Sequence, residues 1–209
     1  MLKKTKRLDI GLRIAALLCA AAVLGGCAFG RKIAYSDAVA DVEASGHRTL
    51  ALATHDQRPY VIAADKDADF VGLMRSAYGI PYNINTESGQ PLADEMSAAI
   101  AKSLDARGFR TTVVKIGYAQ SRRVAREALL KENAERLVLI TLNEWKSDTY
   151  FNTSLNFDVK ITVFDQGGSE LASATFNGNE DIGKMPVPTA FRRKIEDWFS
   201  DPKIVEALR

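Results

Sequence analysis

Few groups in this sequence can do chemistry. Its two histidines, His47 and His55, lie close together, and His55-Asp56 could orient an imidazole as a general base. No Gly-x-Ser-x-Gly nucleophile motif accompanies the pair. A strand-end turn explains it better, with Asp56 bonding backbone amides and Arg58 bridging to an acid. Asp65-Lys66-Asp67-Ala68-Asp69 has the alternating carboxylates that open calcium loops, but such a loop needs Gly at its sixth position and Glu at its twelfth. Those positions hold Phe70 and Ser76, so a solvated turn is expected. Gly167-Gly168 lacks the Lys-Ser/Thr that follows in phosphate-cradling loops. No catalytic residue, no metal site and no cofactor is expected, and the chain is read as a non-enzyme.

One thiol points to a different chemistry. The N-terminus carries Lys3, Lys4, Lys6, Arg7 and Arg13, then an apolar stretch from Ile14 to Leu24, then Gly25-Gly26-Cys27. A basic leader, a short apolar run and small residues describe a secretory signal. The run is too short to cross about 30 Å of hydrocarbon, which takes roughly 20 residues. Leu24-Gly25-Gly26-Cys27 resembles the bacterial lipobox. The resemblance implies diacylglycerol on the Cys27 thiol, cleavage before Cys27 and acylation of the new amino group. Each buried methylene contributes about 0.8 kcal/mol, so two or more chains hold firmly where one holds marginally. Ala28, where an Asp would favour the inner membrane, points to outer-membrane sorting with the domain facing the periplasm.

That assignment divides the chain into a signal peptide (1–26), a lipidated Cys and tether (27–46) with a short docked piece around Ile33 and Tyr35, and a single domain (47–209). Cys19 goes with the signal, so the mature domain has no free thiol and must be stable through its core. Residues 1–26 hold five of the 28 Lys/Arg and one of the 26 Asp/Glu, which leaves 23 and 25, about −2. No basic excess remains to suggest nucleic-acid binding.

The elements that position these residues are read from periodicity. Thr49–Thr54 is a compact apolar run expected as a buried strand, ended by Pro59. Residues 60–85, with a Gly-Ile-Pro turn, are expected to form a hairpin or two short strands. Leu92, Met96, Ala99, Ile100, Ser103 and Leu104 recur at helical spacing behind Pro91, and Gly108 supplies the stop. Phe109–Ile116 is β-branched and follows as a strand. Ser121 can cap a helix striped by Val124, Ala125, Ala128 and Leu129, with Arg122, Arg123 and Arg126 on its wet side.

Leu137–Leu142 is apolar on both faces, as a covered central strand requires. From Phe151 to Val163 apolar and polar residues alternate strictly, which predicts a half-buried antiparallel strand with one face in water. Gln166-Gly167-Gly168-Ser169 turns it into a partner at Glu170–Phe176, and a last amphipathic helix opens at Thr189. Trp145, Tyr150, Phe151 and Phe157 gather around one β-turn, as core packing or as an exposed contact tip. The expected fold is α+β, a single domain with a mixed or antiparallel sheet and helices packed on one face, a two-layer sandwich.

With these elements in place the chain resembles the YajG-like bacterial lipoproteins, which share a strand ending in Asp-x-Arg, here Asp56-Gln57-Arg58. They also have a helix closing on Leu-x-x-x-Gly-Phe, here Leu104–Phe109. The resemblance implies an outer-membrane lipoprotein with this architecture and no particular reaction. The expected role is protein interaction in envelope assembly or maintenance, with the membrane and envelope proteins as partners. The alternative is a module binding a glycan, peptidoglycan fragment or lipid in a pocket lined by Tyr78, Tyr82 and Met96.

Overall fold

The computed structural model describes residues 31–209; the lipobox and the signal segment lie outside the described residues. Eight strands form one mixed sheet: β1 (Lys32–Ile33), β2 (Thr49–Asp56), β3 (Phe70–Arg75), β4 (Pro81–Thr86), β5 (Arg110–Val113), β6 (Arg136–Thr149), β7 (Thr153–Asp165) and β8 (Glu170–Gly183). The helices are α1 (Pro59–Ile62), α2 (Leu92–Asp105), α3 (Arg122–Leu130), α4 (Val187–Trp198) and α5 (Pro202–Leu208). The expected α+β single domain with a mixed sheet is what folds.

β6 is the axis of the sheet. Along one edge it pairs antiparallel with β7 from Arg136 to Thr149. Its other edge is shared. β2 runs parallel to residues 136–142, and β3 runs parallel to residues 147–149. The register shift between Leu142 and Glu144 falls where one partner gives way to the other. β-Bulges bend the strand that carries them. Near the second junction Gly72 sits so close that a Cβ on it would lie 2.2 Å from Ser147 Oγ and 2.4 Å from the Ser147 carbonyl oxygen.

Strand alternation sends side chains to two faces. Leu50, Leu52, Val138, Ile140, Leu142, Trp145, Val159 and Ile161 meet α2, α4 and α5 in the larger core. Ala51, Ala53, Leu137 and Leu139 face the other way, where α3 covers them with Ala125 and Leu129. Three helices therefore share the main face, and α3 adds a smaller layer behind it. An edge-to-face aromatic set anchors the main core, with Trp145 centred 5.3 Å from Phe191 and 6.1 Å from Trp198.

The tether expected over 27–46 docks well beyond the short piece expected around Ile33 and Tyr35. Ile33, Tyr35, Ala38, Ala40, Val42 and Ala44 are buried in the main core. The Tyr35 hydroxyl accepts from Trp145 Nε1 at 3.0 Å, and Glu95 Oε2 accepts from the Tyr35 amide at 2.8 Å. Ser103 Oγ accepts from the Ala40 amide at 2.9 Å. Small side chains let this irregular segment lie close against α2, so composition alone makes it look like a linker.

Other expectations stand with different bounds, and the strand expected over Phe109–Ile116 shortens to Arg110–Val113. Residues 70–86 form the antiparallel β3–β4 hairpin. Ser121 Oγ accepts from the Val124 amide and caps α3. Gly108 ends α2 at φ +98, and the Phe109 amide reaches back to the Leu104 carbonyl at 3.3 Å. β6 and β8 run seven residues past their expected ends, because Glu144, Lys146, Asn177 and Asn179 are polar residues of a water-facing sheet surface.

Gly72→Ala forces the β3–β6 junction apart. Its expected cost is about 1–3 kcal/mol, as for overpacking elsewhere, read as a lower urea midpoint with unchanged slope.

Candidate functional site

β2 ends at the junction, and the Asp56-Gln57-Arg58 corner fills it. Arg58 is fully buried. Its Nε and Nη2 donate to Asp56 Oδ1 and Oδ2 at 2.9 and 2.7 Å, a bidentate pair, and its own amide donates to Oδ1 at 3.2 Å. Nη2 also donates to the Ala68 carbonyl at 3.0 Å, and Nη1 donates to the Phe70 carbonyl. The guanidinium therefore binds the end of β2 to the start of β3. Burial alone would lower its pKa, but the bonds and charge of Asp56 outweigh that and the net shift is upward. The acid that Arg58 bridges is Asp56 itself.

Tyr60 extends the corner. Arg58 lies 5.5 Å from its ring centre, and its hydroxyl donates to Glu144 Oε1 at 2.6 Å. Glu144 in turn accepts from the Trp145 amide at 2.9 Å, close to the bulge of β6. Burial pushes the Tyr60 hydroxyl pKa up strongly. The phenol stays a neutral donor.

His55 and Asp56 are adjacent in a strand, so their side chains leave opposite faces. Asp56 is engaged by Arg58, while His55 Nε2 lies 2.8 Å from the Gln120 carbonyl oxygen and donates to it. The geometry does not build the acid–base pair that their sequence suggests. Burial lowers the His55 pKa, against smaller upward pulls from Gln120 and Asp56. The acidic run 65–69 is the turn before β3, with Asp69 Oδ2 accepting from Asn85 Nδ2 at 2.9 Å. Among the described residues no group of three or more His, Cys, Asp or Glu is placed to hold a metal.

The pocket proposed for a small ligand is not assembled. Met96 is fully buried in the main core, whereas Tyr78 is 92% exposed and Tyr82 half exposed on the β3–β4 hairpin. Arg122, Arg123 and Arg126 lie on α3; Arg123 pairs with Glu127 at 2.5 Å, and Arg122 reaches Thr162 Oγ1 at 3.4 Å.

The aromatic group around residues 145–157 splits in two. Trp145 and Phe157 are core, while Tyr150 and Phe151 stand out at the β6–β7 turn, Phe151 81% exposed. Parallel pairing of β3 with the end of β6 brings this turn beside the β3–β4 turn. The Tyr150 hydroxyl donates to the Ala77 carbonyl at 3.1 Å, and Arg75 grips Asp148 through two bonds of 2.8 and 2.6 Å. Tyr78, Ile80, Tyr82, Tyr150 and Phe151 thus share one end of the sheet. The β3–β6 contact that sets Tyr78 and Tyr82 beside the β6–β7 turn, away from the expected pocket, is long-range and leaves no local pattern in the sequence.

At the far margin of the sheet, β8 pairs with β7 over its length and has no further strand beyond it among the described residues. Leu171, Thr175, Asn177 and Asn179 are exposed along it. A long edge strand offers unpaired backbone donors and acceptors to another chain.

Solved structures of similar arrangement include bacterial proteins, one of them a lipoprotein. A Xanthomonas campestris protein described under the DUF330 family is 11% identical over 85% of this chain and 94% of that chain, with TM-score 0.49. A PelC dodecamer from Paraburkholderia phytofirmans is 14% identical over 75% of this chain and 87% of that one, with TM-score 0.44. Lipoprotein GNA1162 from Neisseria meningitidis is 12% identical over 73% and 97%, with TM-score 0.30. No family model and no curated protein matches the sequence.

Two outcomes follow for the corner. Arg58→Ala strands a buried carboxylate and costs about 3–5 kcal/mol. Adding Asp56→Leu recovers part of that loss and not all, since the Ala68 and Phe70 carbonyls stay unpaired; denaturant unfolding of the three variants measures both steps. His55 binds its proton more weakly folded than unfolded. Its stabilising contribution is present above pH 6.5 and is lost as pH falls from 6.5 through the lowered folded value. His55→Gln flattens the pH dependence of stability in that window, seen in melts across pH 5–7.

Proposed function

We propose that this chain is a bacterial lipoprotein of the YajG-like kind, held on the outer membrane by acyl groups on Cys27 with its domain in the periplasm. It acts without catalysis, through protein contacts in envelope assembly or maintenance. The anchor is supported by Leu24-Gly25-Gly26-Cys27 behind a basic, apolar leader. The interaction role is carried by one observation, the 14-residue strand β8, whose outer edge pairs with no strand among the described residues. An extended segment of a partner can add to such an edge by main-chain bonds, with side chains at alternate positions giving selectivity. The non-catalytic reading is supported by the engagement of Asp56 with Arg58 on the face opposite His55.

Two measurements test this. Cys27→Ser should abolish palmitate incorporation and release the protein from membranes; unchanged fractionation would defeat the anchor. A photo-crosslinker at Asn177 on β8 should trap discrete envelope proteins in cells, and one at Lys131 beyond α3 should not. Equal trapping at both positions, or none at Asn177, removes the edge as the contact surface.

A further inference from the structure

Of nine exposed large hydrophobic residues in the described chain, five sit at one end of the sheet. Singly scattered exposed apolar residues are ordinary, but a contiguous group marks a contact surface. This group is Tyr78 and Ile80 at the β3–β4 turn, Tyr82 beside them on β4, and Tyr150 and Phe151 at the β6–β7 turn. Both turns are braced. The Ser76 amide donates to the Ile80 carbonyl at 2.9 Å, Gly79 takes φ +80, and the Gly79 amide donates to the Ser76 carbonyl at 2.8 Å. Tyr150 and Phe151 rings are centred 4.2 Å apart, and the Tyr150–Ala77 bond ties the two turns together. Ordering of the turns therefore need not be supplied by a partner.

The position of the chain entry says what lies opposite. β1 runs parallel to β4, with Lys32 in register with Asn85 and Ile33 with Thr86. β4 leads away from the tip, so of the two ends of β1 the N-terminal one is the nearer to it. Cys27 is five residues before Lys32. Five residues reach at most about 17 Å, which is also the climb of β4 from Asn85 back to Ile80. Whatever holds Cys27 is therefore within reach of the tip. Tyrosine and phenylalanine suit a lipid interface, where an apolar body meets a polar layer.

We infer that this braced tip, Tyr78, Ile80, Tyr82, Tyr150 and Phe151, is a membrane-contact surface that seats in the interfacial layer of the bilayer holding the anchor. The inference rests on the acylation of Cys27 proposed above and adds an orientation to it. The domain stands with its β3–β4 and β6–β7 turns in the headgroup region. The opposite turn, at Gln166-Gly167, points away from the membrane.

The test uses the acylated chain, whose processed form has no free thiol. Asn152→Cys, next to Phe151, and Gln166→Cys, at the opposite turn, each receive an environment-sensitive fluorophore. The proteins are placed on vesicles of phosphatidylethanolamine and phosphatidylglycerol, with or without bromine in the acyl chains, and floated. The expected result is blue-shifted emission at 152 that brominated lipid quenches, with neither change at 166. Tyr78→Ser with Phe151→Ser should reduce the quenching while flotation persists; both side chains are exposed, so the fold tolerates them. Unquenched emission at 152 on floated protein overturns the tip and leaves the anchor standing. A blue shift that brominated lipid leaves untouched reports a second copy or another protein there, and overturns it too. Equal quenching at 166 removes the orientation. Failure to float removes the anchor and the inference with it.

Discussion

One long strand must serve two neighbours on the same edge, and the architecture depends on how that edge is shared. β6 gives residues 136–142 to β2 and residues 147–149 to β3. Between them β2 has to leave, the chain has to turn through α1, and β3 has to arrive without opening a gap in the sheet. Arg58 meets that demand from the inside. Its guanidinium holds the carboxylate at the end of β2 and two carbonyls at the start of β3. A buried ion pair alone is weak evidence of stability, since desolvation offsets most of the attraction. Here two further guanidinium N–H groups are also taken by backbone carbonyls, and such added bonds are what a buried pair needs to hold its place. The Tyr60–Glu144 bond carries the same connection across to β6 beside its bulge.

The junction also organises the surface. Because β3 continues along β6, the β3–β4 turn comes to lie next to the β6–β7 turn, and residues some seventy positions apart form one aromatic tip. The meander β6–β7–β8 then extends the sheet away from β2 and leaves β8 as a free margin. The two surfaces are separate in kind: one is apolar and made of turns, the other is an edge of backbone bordered by polar side chains.

Much of this was legible in the sequence where local pattern decides the outcome. The alternation expected from Phe151 to Val163 holds from Thr153 on, with Phe151 left in the turn and Thr162, on the face expected in water, buried instead. Ser121 and Gly108 mark helix ends through capping and a left-handed backbone. What was not legible depended on contacts between distant segments. Ala38, Ala40, Val42 and Ala44 carry too little side chain to announce a core, yet packing against α2 and α4 buries them. The outer halves of β6 and β8 are polar on one face, so an apolar criterion ends them early. Asp56 and Arg58 stood out as a motif, but only the register of β3 shows what Arg58 binds. Trp145, Phe157, Tyr150 and Phe151 look alike in sequence and divide between core and surface according to the turn they flank.

The docking of residues 33–44 has a mechanical meaning. A pull delivered through residue 31 does not first uncoil slack chain. It loads the two β1–β4 register pairs along the strand direction, and behind them the Tyr35 ring wedged between Trp145 and Phe191. Strands drawn lengthwise resist together, whereas strands peeled apart yield one bond at a time. The segment thus works as a strain relief, spreading tension at once over the sheet and over the helices α2 and α4 to which Tyr35 and Ala40 are fastened.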